Sequence, residues 1–83
     1  MTVRITRRAK EQWEDLPTAI QDRVQWVMRR LGKWPNVSGA RPLSGRLAGW
    51  YRIRTGDYRI RFAVVGNEVL IDRIAHRREM CEE

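Results

Sequence analysis

Apolar and polar positions repeat with two different periods, and these periods divide the chain into a helical first half and a stranded second half. Val3 and Ile5 alternate with Arg4 and Thr6, which predicts a short first strand. Within residues 7–16 the apolar side chains recur every three to four positions. This spacing predicts that a first helix follows the strand directly.

A second helix is predicted after Pro17, because proline suits the first turn of a helix. Its apolar positions follow steps of four, three and four residues and therefore share one stripe. The stripe consists of Ile20, Val24, Val27 and Leu31. We expect the two helices to form a hairpin, with Trp13 and Trp26 as core or hairpin contacts.

The second half of the chain predicts a long loop and then an antiparallel meander. Residues 36–49 show neither period and are rich in glycine, proline and serine, which predicts a surface loop. Three strand-like runs follow, separated by Gly56-Asp57 and Gly66-Asn67, and both pairs suit two-residue hairpin turns. The runs cover about residues 49–54, 58–65 and 68–76. The predicted fold class is α+β, with the order β-α-α-β-β-β in a single domain over residues 1–83.

The two predicted turns set a register for the meander. It places Arg54 opposite Arg59 and Arg52 opposite Arg61, and it places Arg61 opposite Asp72 and Arg59 opposite Ile74. Side chains alternate between the faces of a strand, so one face is apolar and should pack on the helices. The other face is predicted to hold Trp50, Arg52, Arg54, Arg59, Arg61, Asp72 and His76.

The composition adds a strong positive charge to this picture. Seventeen Lys and Arg against ten Asp and Glu give a net charge of +7 and a pI near 11.0 over 83 residues. Most of these cations are arginines, whose planar group pairs with phosphate and stacks on bases. A polyanionic partner is the leading interpretation, although a GC-rich genome would also raise the arginine content.

Cysteine usage and the N-terminus favour a cytoplasmic protein without a cofactor. The single cysteine, Cys81, excludes an internal disulfide, and the first residues lack the apolar stretch of a signal peptide. No segment is apolar and long enough to span a bilayer. No cluster of His, Cys and carboxylates suggests a metal, so we expect neither a metal nor another cofactor.

The basic face has two open interpretations. Like charges directly opposite each other repel, so stacked arginine pairs are not explained by stability and would be relieved by a bound anion. Alternatively, Arg61 is tied to Asp72 and the face is only a solubilising surface. Trp50 could stack on an unpaired base or cap the edge of the core. His76, the only histidine, is suited to proton exchange near neutral pH, but a lone histidine is more often structural.

Two segments together resemble the signature of the RelE/ParE toxin superfamily. They are Trp50-Tyr51-Arg52-Ile53-Arg54-Thr55-Gly56-Asp57-Tyr58-Arg59-Ile60-Arg61-Phe62 and His76-Arg77-Arg78-Glu79. The preceding Pro42-Leu43-Ser44-Gly45 is similar to that family's linker before the sheet. The resemblance covers essentially the whole chain and implies a RelE-like fold.

The resemblance also implies a function, namely the toxin of a type II toxin–antitoxin pair that cuts translated messenger RNA on the ribosome without metal. Its implied partners are a cognate antitoxin, the ribosome and the messenger. Matched to the family's basic positions, Arg54, Arg59 and Arg77 become the candidate catalytic residues, and His76 is added for proton transfer. The candidate RNA-binding residues are Trp50, Arg46, Arg52, Arg61 and Arg78.

One departure from the family's pattern keeps a second function open. The family usually carries a tyrosine shortly after the C-terminal arginine, whereas this chain has Met80-Cys81-Glu82-Glu83. Cysteine cannot supply that ring. The alternative is a non-catalytic protein: a ParE-like inhibitor of DNA gyrase, or a module that only binds RNA or an antitoxin.

Overall fold

A computed structural model of the protein describes residues 1–80 and contains two helices and five strands within them. The prediction concerning Cys81 lies outside the described residues. Both helices come early in the chain, and the three long strands follow one another without interruption. The elements are β1 (Thr2–Ile5), α1 (Arg7–Glu14), α2 (Thr18–Leu31), β2 (Arg41–Pro42), β3 (Trp50–Thr55), β4 (Tyr58–Val65) and β5 (Glu68–His76).

The strands form one sheet in the order β1-β5-β4-β3-β2. The meander of β3, β4 and β5 is antiparallel, and β1 pairs in parallel with β5. The predicted α+β fold class is thereby confirmed. Gly56 and Gly66 both have a φ of +59°, which glycine adopts without strain and which a tight hairpin turn requires.

The core lies between the two helices and one face of the sheet. Each helix contributes the apolar stripe that its period predicted, and β3, β4 and β5 contribute alternate residues. The buried cluster comprises Ala9, Val24, Val27, Leu31, Ile53, Ile60, Phe62, Val69, Ile71 and Ile74. At one end of it, Trp34 packs edge-on against Tyr51 and Phe62, with ring centroids 4.8 and 5.4 Å apart. No helix among the described residues has the length and apolar character needed to cross a membrane.

The two tryptophans of the helical hairpin behave differently. Trp13 packs against the core, and its Nε1 donates to the carbonyl of Gln21 at 3.1 Å. The side chain of Gln21 returns a bond to the carbonyl of Trp13 at 3.0 Å, so the two residues fasten the hairpin reciprocally. Trp26 is 61% exposed, and its prediction as a core or hairpin contact is wrong. The stripe that buries Val24 and Val27 leaves position 26 on the outer side of α2.

The predicted surface loop of residues 36–49 contains two short ordered pieces. Arg41–Pro42 forms β2 at the edge of the sheet, and Gly45–Leu47 forms a single 3₁₀ turn. Pro42 lies on an edge strand. Proline has no N–H to donate, and an edge position tolerates this because the strand has a partner on one side only. Two residues of the predicted loop, Arg41 and Pro42, therefore belong to the sheet.

A β-bulge in β5 changes the predicted register of the second hairpin. Phe62 pairs with Ile71, but Arg61 pairs with Arg73, so Asp72 is the extra residue. The predicted Cα pairing of Arg61 with Asp72 is wrong, and Arg59 lies opposite Ala75 rather than Ile74. The register predicted for β3 and β4 is confirmed in full.

Candidate nucleic-acid interface

Four arginines form one continuous row across the sheet. Arg41 lies opposite Arg52, Arg52 opposite Arg61, and Arg61 opposite Arg73, so the row crosses β2, β3, β4 and β5. Residues directly opposite each other point to the same face, and this face is turned away from the helices. We call this set the long arginine row.

A second and shorter row lies next to the first, toward the β3–β4 turn. It consists of Arg54 opposite Arg59, followed by Ala75 on β5. Arg54 is exposed, and Arg59 is partly buried. A groove of about 320 Å³ joins the two rows at the β3 side of the sheet, and its lining residues are Gly39, Arg41, Arg52 and Arg54.

The bulge residue Asp72 lies beside the long arginine row and binds one of its members. Arg61 donates from Nε to Asp72 Oδ1 at 3.0 Å and from Nη2 to Asp72 Oδ2 at 2.7 Å. The guanidinium carbon of Arg61 also lies 5.4 Å from the ring centroid of Trp50. The prediction that Arg61 is tied to Asp72 is confirmed by this contact, although the backbone register differs. Arg61 therefore contacts both the bulge residue Asp72 and the indole of Trp50.

An apolar row runs beside the long arginine row on its other side. Trp50 lies opposite Ala63, and Ala63 lies opposite Leu70. Trp50 and Leu70 are partly buried, and Ala63 is 8% exposed. The face therefore offers an aromatic and apolar strip parallel to a cationic one, and this is the combination that sheet proteins use to stack bases and hold phosphates.

Arg77 lies near the end of the short arginine row, where it contacts Asp57 of the β3–β4 turn. Its backbone N–H donates to the carbonyl of Asp57 at 2.7 Å, and its Nε lies 3.9 Å from Asp57 Oδ1. Asp57 follows Gly56 in the turn that connects Arg54 to Arg59. Three of the candidate catalytic residues are therefore gathered at one end of the sheet: Arg54, Arg59 and Arg77.

His76 does not share the arginine face, and its predicted placement there is wrong. The bulge moves every residue after Asp72 to the opposite face, so His76 lies across from Tyr58 with ring centroids 5.4 Å apart. It borders a cleft of about 400 Å³ next to α1. Its Nδ1 accepts the backbone N–H of Arg78 at 3.2 Å, which favours the tautomer with the proton on Nε2.

The remaining candidates lie outside the two rows. Arg46 is exposed in the 3₁₀ turn, and Arg78 is exposed in the turn after β5. Conversely, sequence reasoning missed Arg41 and Arg73, which complete the long arginine row. Arg41 belonged to a region without a period, and Arg73 would face the helices in a strand without a bulge.

The arrangement suits binding and stabilisation of negative charge. Guanidinium groups pair with phosphate oxygens, and several of them converge on one flat surface beside an indole. The described residues contain no group of three His, Cys, Asp or Glu side chains placed to hold a metal ion. The guanidinium groups of the arginine face can stabilise negative charge electrostatically.

Comparison with solved structures gives close matches over nearly the whole chain. A chain of the RelBE2 toxin–antitoxin complex from Mycobacterium tuberculosis is 29% identical with a TM-score of 0.80, and the match covers 92% of this chain and 96% of that one. The YoeB/ParE toxin from Agrobacterium tumefaciens has 19% identity, a TM-score of 0.79 and coverage of 92% and 98%. The archaeal RelE–RelB complex from Pyrococcus horikoshii OT3 has 24% identity, a TM-score of 0.74 and coverage of 92% and 93%. The last two likenesses establish the fold alone.

Sequence comparison identifies the family. No curated protein matches this chain. The family model described as the ParE toxin of the type II toxin–antitoxin system, parDE, matches residues 3–80, and the match includes both arginine rows and the β5 bulge. The chain belongs to this ParE toxin family within the RelE/ParE superfamily and is the toxin of a type II toxin–antitoxin system.

Proposed function

We propose that this toxin is an endoribonuclease that binds single-stranded messenger RNA on its arginine face and cleaves it during translation on the ribosome. The observation that carries the proposal is the pair of arginine rows, which cross up to four strands of the sheet. The matched structures include toxin–antitoxin complexes, which supports a cognate antitoxin as the protein that neutralises it.

The two rows favour a polyanionic ligand because they place guanidinium groups on adjacent strands of one face. Adjacent strands lie about 4.8 Å apart, so each cross-strand arginine pair brings two cations close together. Like charges directly opposite each other destabilise a sheet by about 0.2–1 kcal/mol per pair. A nucleic acid backbone laid along the rows brings phosphate groups to these guanidinium groups.

The proposed reaction uses the cations at the sheet end. The ribose 2′-oxygen attacks the neighbouring phosphorus, the bond from phosphorus to the 5′-oxygen breaks, and the products carry a cyclic phosphate and a free 5′-hydroxyl. Arg54, Arg59 and Arg77 would stabilise the extra negative charge of the pentacoordinate phosphorus. Arg41 and Arg52 would hold the flanking phosphates, and Trp50 would stack on a base.

Proton transfer in this scheme does not require His76. The imidazole lies on the helix side of the sheet, and its Nδ1 is engaged by the backbone of Arg78. We therefore assign the proton exchanges to water and the rate enhancement to positioning and charge.

The test is to induce the toxin in cells and map new 5′ ends in translated messages. The double variant Arg54→Gln/Arg59→Gln should abolish the breaks. The matched control is Arg7→Gln/Arg29→Gln, which removes the same charge from exposed helical positions and should leave the breaks in place. Absence of breaks with the unmutated protein, despite growth arrest, would reject the nuclease.

A second candidate function is favoured by the position of His76. Because the single histidine lies off the arginine face, inhibition of a nucleic-acid enzyme by binding alone is the second candidate. DNA gyrase is the target that the ParE resemblance implies. Growth arrest with intact messages and with inhibited supercoiling by purified gyrase would support this function instead.

A further inference from the structure

Strand β5 has an open edge beyond the end of β1. The two strands pair in parallel only as far as Ile71, whereas β5 continues to His76. Among the described residues, positions 72–76 therefore have β4 on one side and no strand on the other. An open strand edge presents backbone N–H and C=O groups that are available for further hydrogen bonds.

Two backbone groups of this open edge are placed to bind a ligand. The N–H of Ile74 donates to Oε1 of Gln12 at 2.8 Å, so the backbone polar groups of Ile74 point away from β4. Because this direction alternates along an antiparallel strand, the groups of His76 point the same way. The C=O of His76 accepts the N–H of Glu79 at 2.8 Å. The C=O of Ile74 and the N–H of His76 are then left side by side, an acceptor next to a donor.

A cleft of about 400 Å³ lies against this edge and reaches both faces of the sheet. Its lining includes Ala75, which lies opposite Arg59 in the short arginine row, and His76, which lies on the helix side. Helix α1 forms the opposite wall with Arg8 and Gln12. Ligand clefts typically have volumes of about 300–1,000 Å³, so this one has room for a single nucleotide. We call it the β5-edge cleft.

The short arginine row leads into the β5-edge cleft. Arg59 lies opposite Ala75, and Ala75 lines the cleft. Alanine carries only a methyl group, so its side chain does not block the way from Arg59 to the cleft. An RNA backbone that follows the row from Arg54 past Arg59 therefore arrives at the cleft.

The groups of the β5-edge cleft suit a nucleobase with a phosphate beside it. A backbone acceptor next to a backbone donor matches the Watson–Crick edge of a base, on which a donor and an acceptor are likewise neighbours. Arg8 and Arg73 line the same cleft and supply cations for a phosphate group. The cleft thus offers separate contacts to the two parts of a nucleotide.

An added polypeptide strand fits this edge less well than a base does. Strand addition uses a continuous series of backbone N–H and C=O groups. At the open edge, Gln12 already occupies the N–H of Ile74, and Glu79 already occupies the C=O of His76. A ligand that needs only one acceptor and one donor finds both of them between these two contacts.

We infer that the β5-edge cleft binds one unpaired base of the RNA. The base is hydrogen-bonded to the C=O of Ile74 and the N–H of His76, and its phosphate lies toward Arg8 and Arg73. The backbone of His76 makes this contact, and the imidazole is not required for it. The inference rests on the proposed function and deepens it, because it locates where the RNA leaves the arginine face.

The test follows the backbone amide signals of isotope-labelled toxin by NMR during titration with AMP, which carries both a base and a phosphate. The amide signal of His76 should shift and saturate, and ribose-5-phosphate, which lacks the base, should leave it in place. Arg8→Glu should raise the Kd of AMP about tenfold, which corresponds to about 1.4 kcal/mol. The matched control is Arg7→Glu, which makes the same charge change at the neighbouring exposed position of α1, outside the cleft.

A short single-stranded RNA provides the second arm of the test. It should shift the same His76 amide signal and displace AMP, because both ligands present an unpaired base to the same edge. If AMP saturates the signal and RNA does not compete with it, the cleft takes a free nucleotide and the inference is overturned.

Three further results would overturn the inference. They are an unmoved His76 amide with both AMP and RNA, an equal shift with ribose-5-phosphate, or broadening of this signal that grows with toxin concentration, which would identify the edge as a site of strand pairing between copies. Message breaks are scored in parallel. If breaks are absent while AMP and RNA still shift the signal, only the proposed nuclease is lost; if breaks occur without any shift, only the base site is lost.

Discussion

Arg61 and Asp72 make a two-bond ion pair although they are not register partners. The bonds are 3.0 and 2.7 Å long, and the residue opposite Arg61 in the ladder is Arg73. The pair exists because the bulge adds one residue to β5 and leaves Asp72 beside Arg61. The same irregularity brings Arg73 into the long arginine row and takes His76 out of the face.

We predict that Asp72→Asn destabilises the protein by about 2 kcal/mol, because the substitution removes the charge from a paired carboxylate. The side chains of Arg61 and Asp72 are only 13% and 19% exposed, so solvent screens the pair weakly. Urea denaturation of the unmutated protein and of Asp72→Asn measures the difference in the free energy of unfolding.

Glu68→Gln provides the control for this prediction. Arg4 Nη1 and Glu68 Oε1 are 3.4 Å apart, but these side chains are 65% and 42% exposed. An exposed pair of this kind contributes about 0–1 kcal/mol. An equal loss of stability in the two variants would show that the Arg61–Asp72 pair has no special role.

The bulge explains which part of the site could be predicted from the sequence. A two-residue turn determines which residues pair only while side chains alternate regularly between the two faces of each strand. This alternation is regular in β3 and β4 from Trp50 to Phe62. In β5 the buried residues Ile71 and Ile74 are three positions apart instead of two. That spacing is the sequence signal of the bulge and of the faces on which Arg73 and His76 lie.

We predict that Trp13→Phe destabilises the helical hairpin by about 1–2 kcal/mol. Phenylalanine keeps most of the packing against the core but loses the Nε1 bond to the carbonyl of Gln21. Thermal unfolding followed by circular dichroism measures the change. Trp26→Phe should have no effect on stability, and a loss as large as that of Trp13→Phe would contradict the assignment of the two tryptophans.

The positions of these tryptophans and of β2 show where local patterns stop being sufficient. The helical period placed position 26 outside the buried stripe, but the general tendency of tryptophan to be buried favoured the opposite interpretation. The period was correct. Strand β2 has only two residues, and its pairing with Tyr51 and Arg52 arises from tertiary contact, so no local pattern could reveal it.

We predict that the arginine rows give RNA binding a steep dependence on salt. Each phosphate contact to single-stranded nucleic acid contributes about 0.7 to the slope of log K against log salt concentration. Arg54→Gln/Arg59→Gln should therefore reduce the slope by about 1.4. Binding of a short single-stranded RNA at several salt concentrations tests this, and an equal reduction in Arg7→Gln/Arg29→Gln would indicate only a general effect of net charge.

We predict that Trp50→Ala weakens binding of single-stranded RNA by about tenfold, because the loss of one base stack costs about 1–3 kcal/mol. The Arg61 guanidinium beside the indole holds the ring in place, so Asp72→Asn should show a smaller loss in the same direction. An RNA with an abasic position should bind the unmutated toxin and Trp50→Ala equally well. If Trp50→Ala also weakened that ligand, the indole would have only a structural role.

We predict that His76→Gln changes the rate of message cleavage by less than fivefold, whereas Arg59→Ala lowers it by at least a hundredfold. The imidazole packs on Tyr58 on the helix side of the sheet, and its Nδ1 accepts from Arg78, so it is badly placed to take a proton from a ribose on the arginine face. Loss of preorganised cations near the reacting phosphate typically costs two or more orders of magnitude in rate. Single-turnover cleavage of a ribosome-bound message measures both. A hundredfold loss in His76→Gln with unchanged RNA affinity would return proton transfer to His76 and would require the end of β5 to move toward the arginine face when RNA binds.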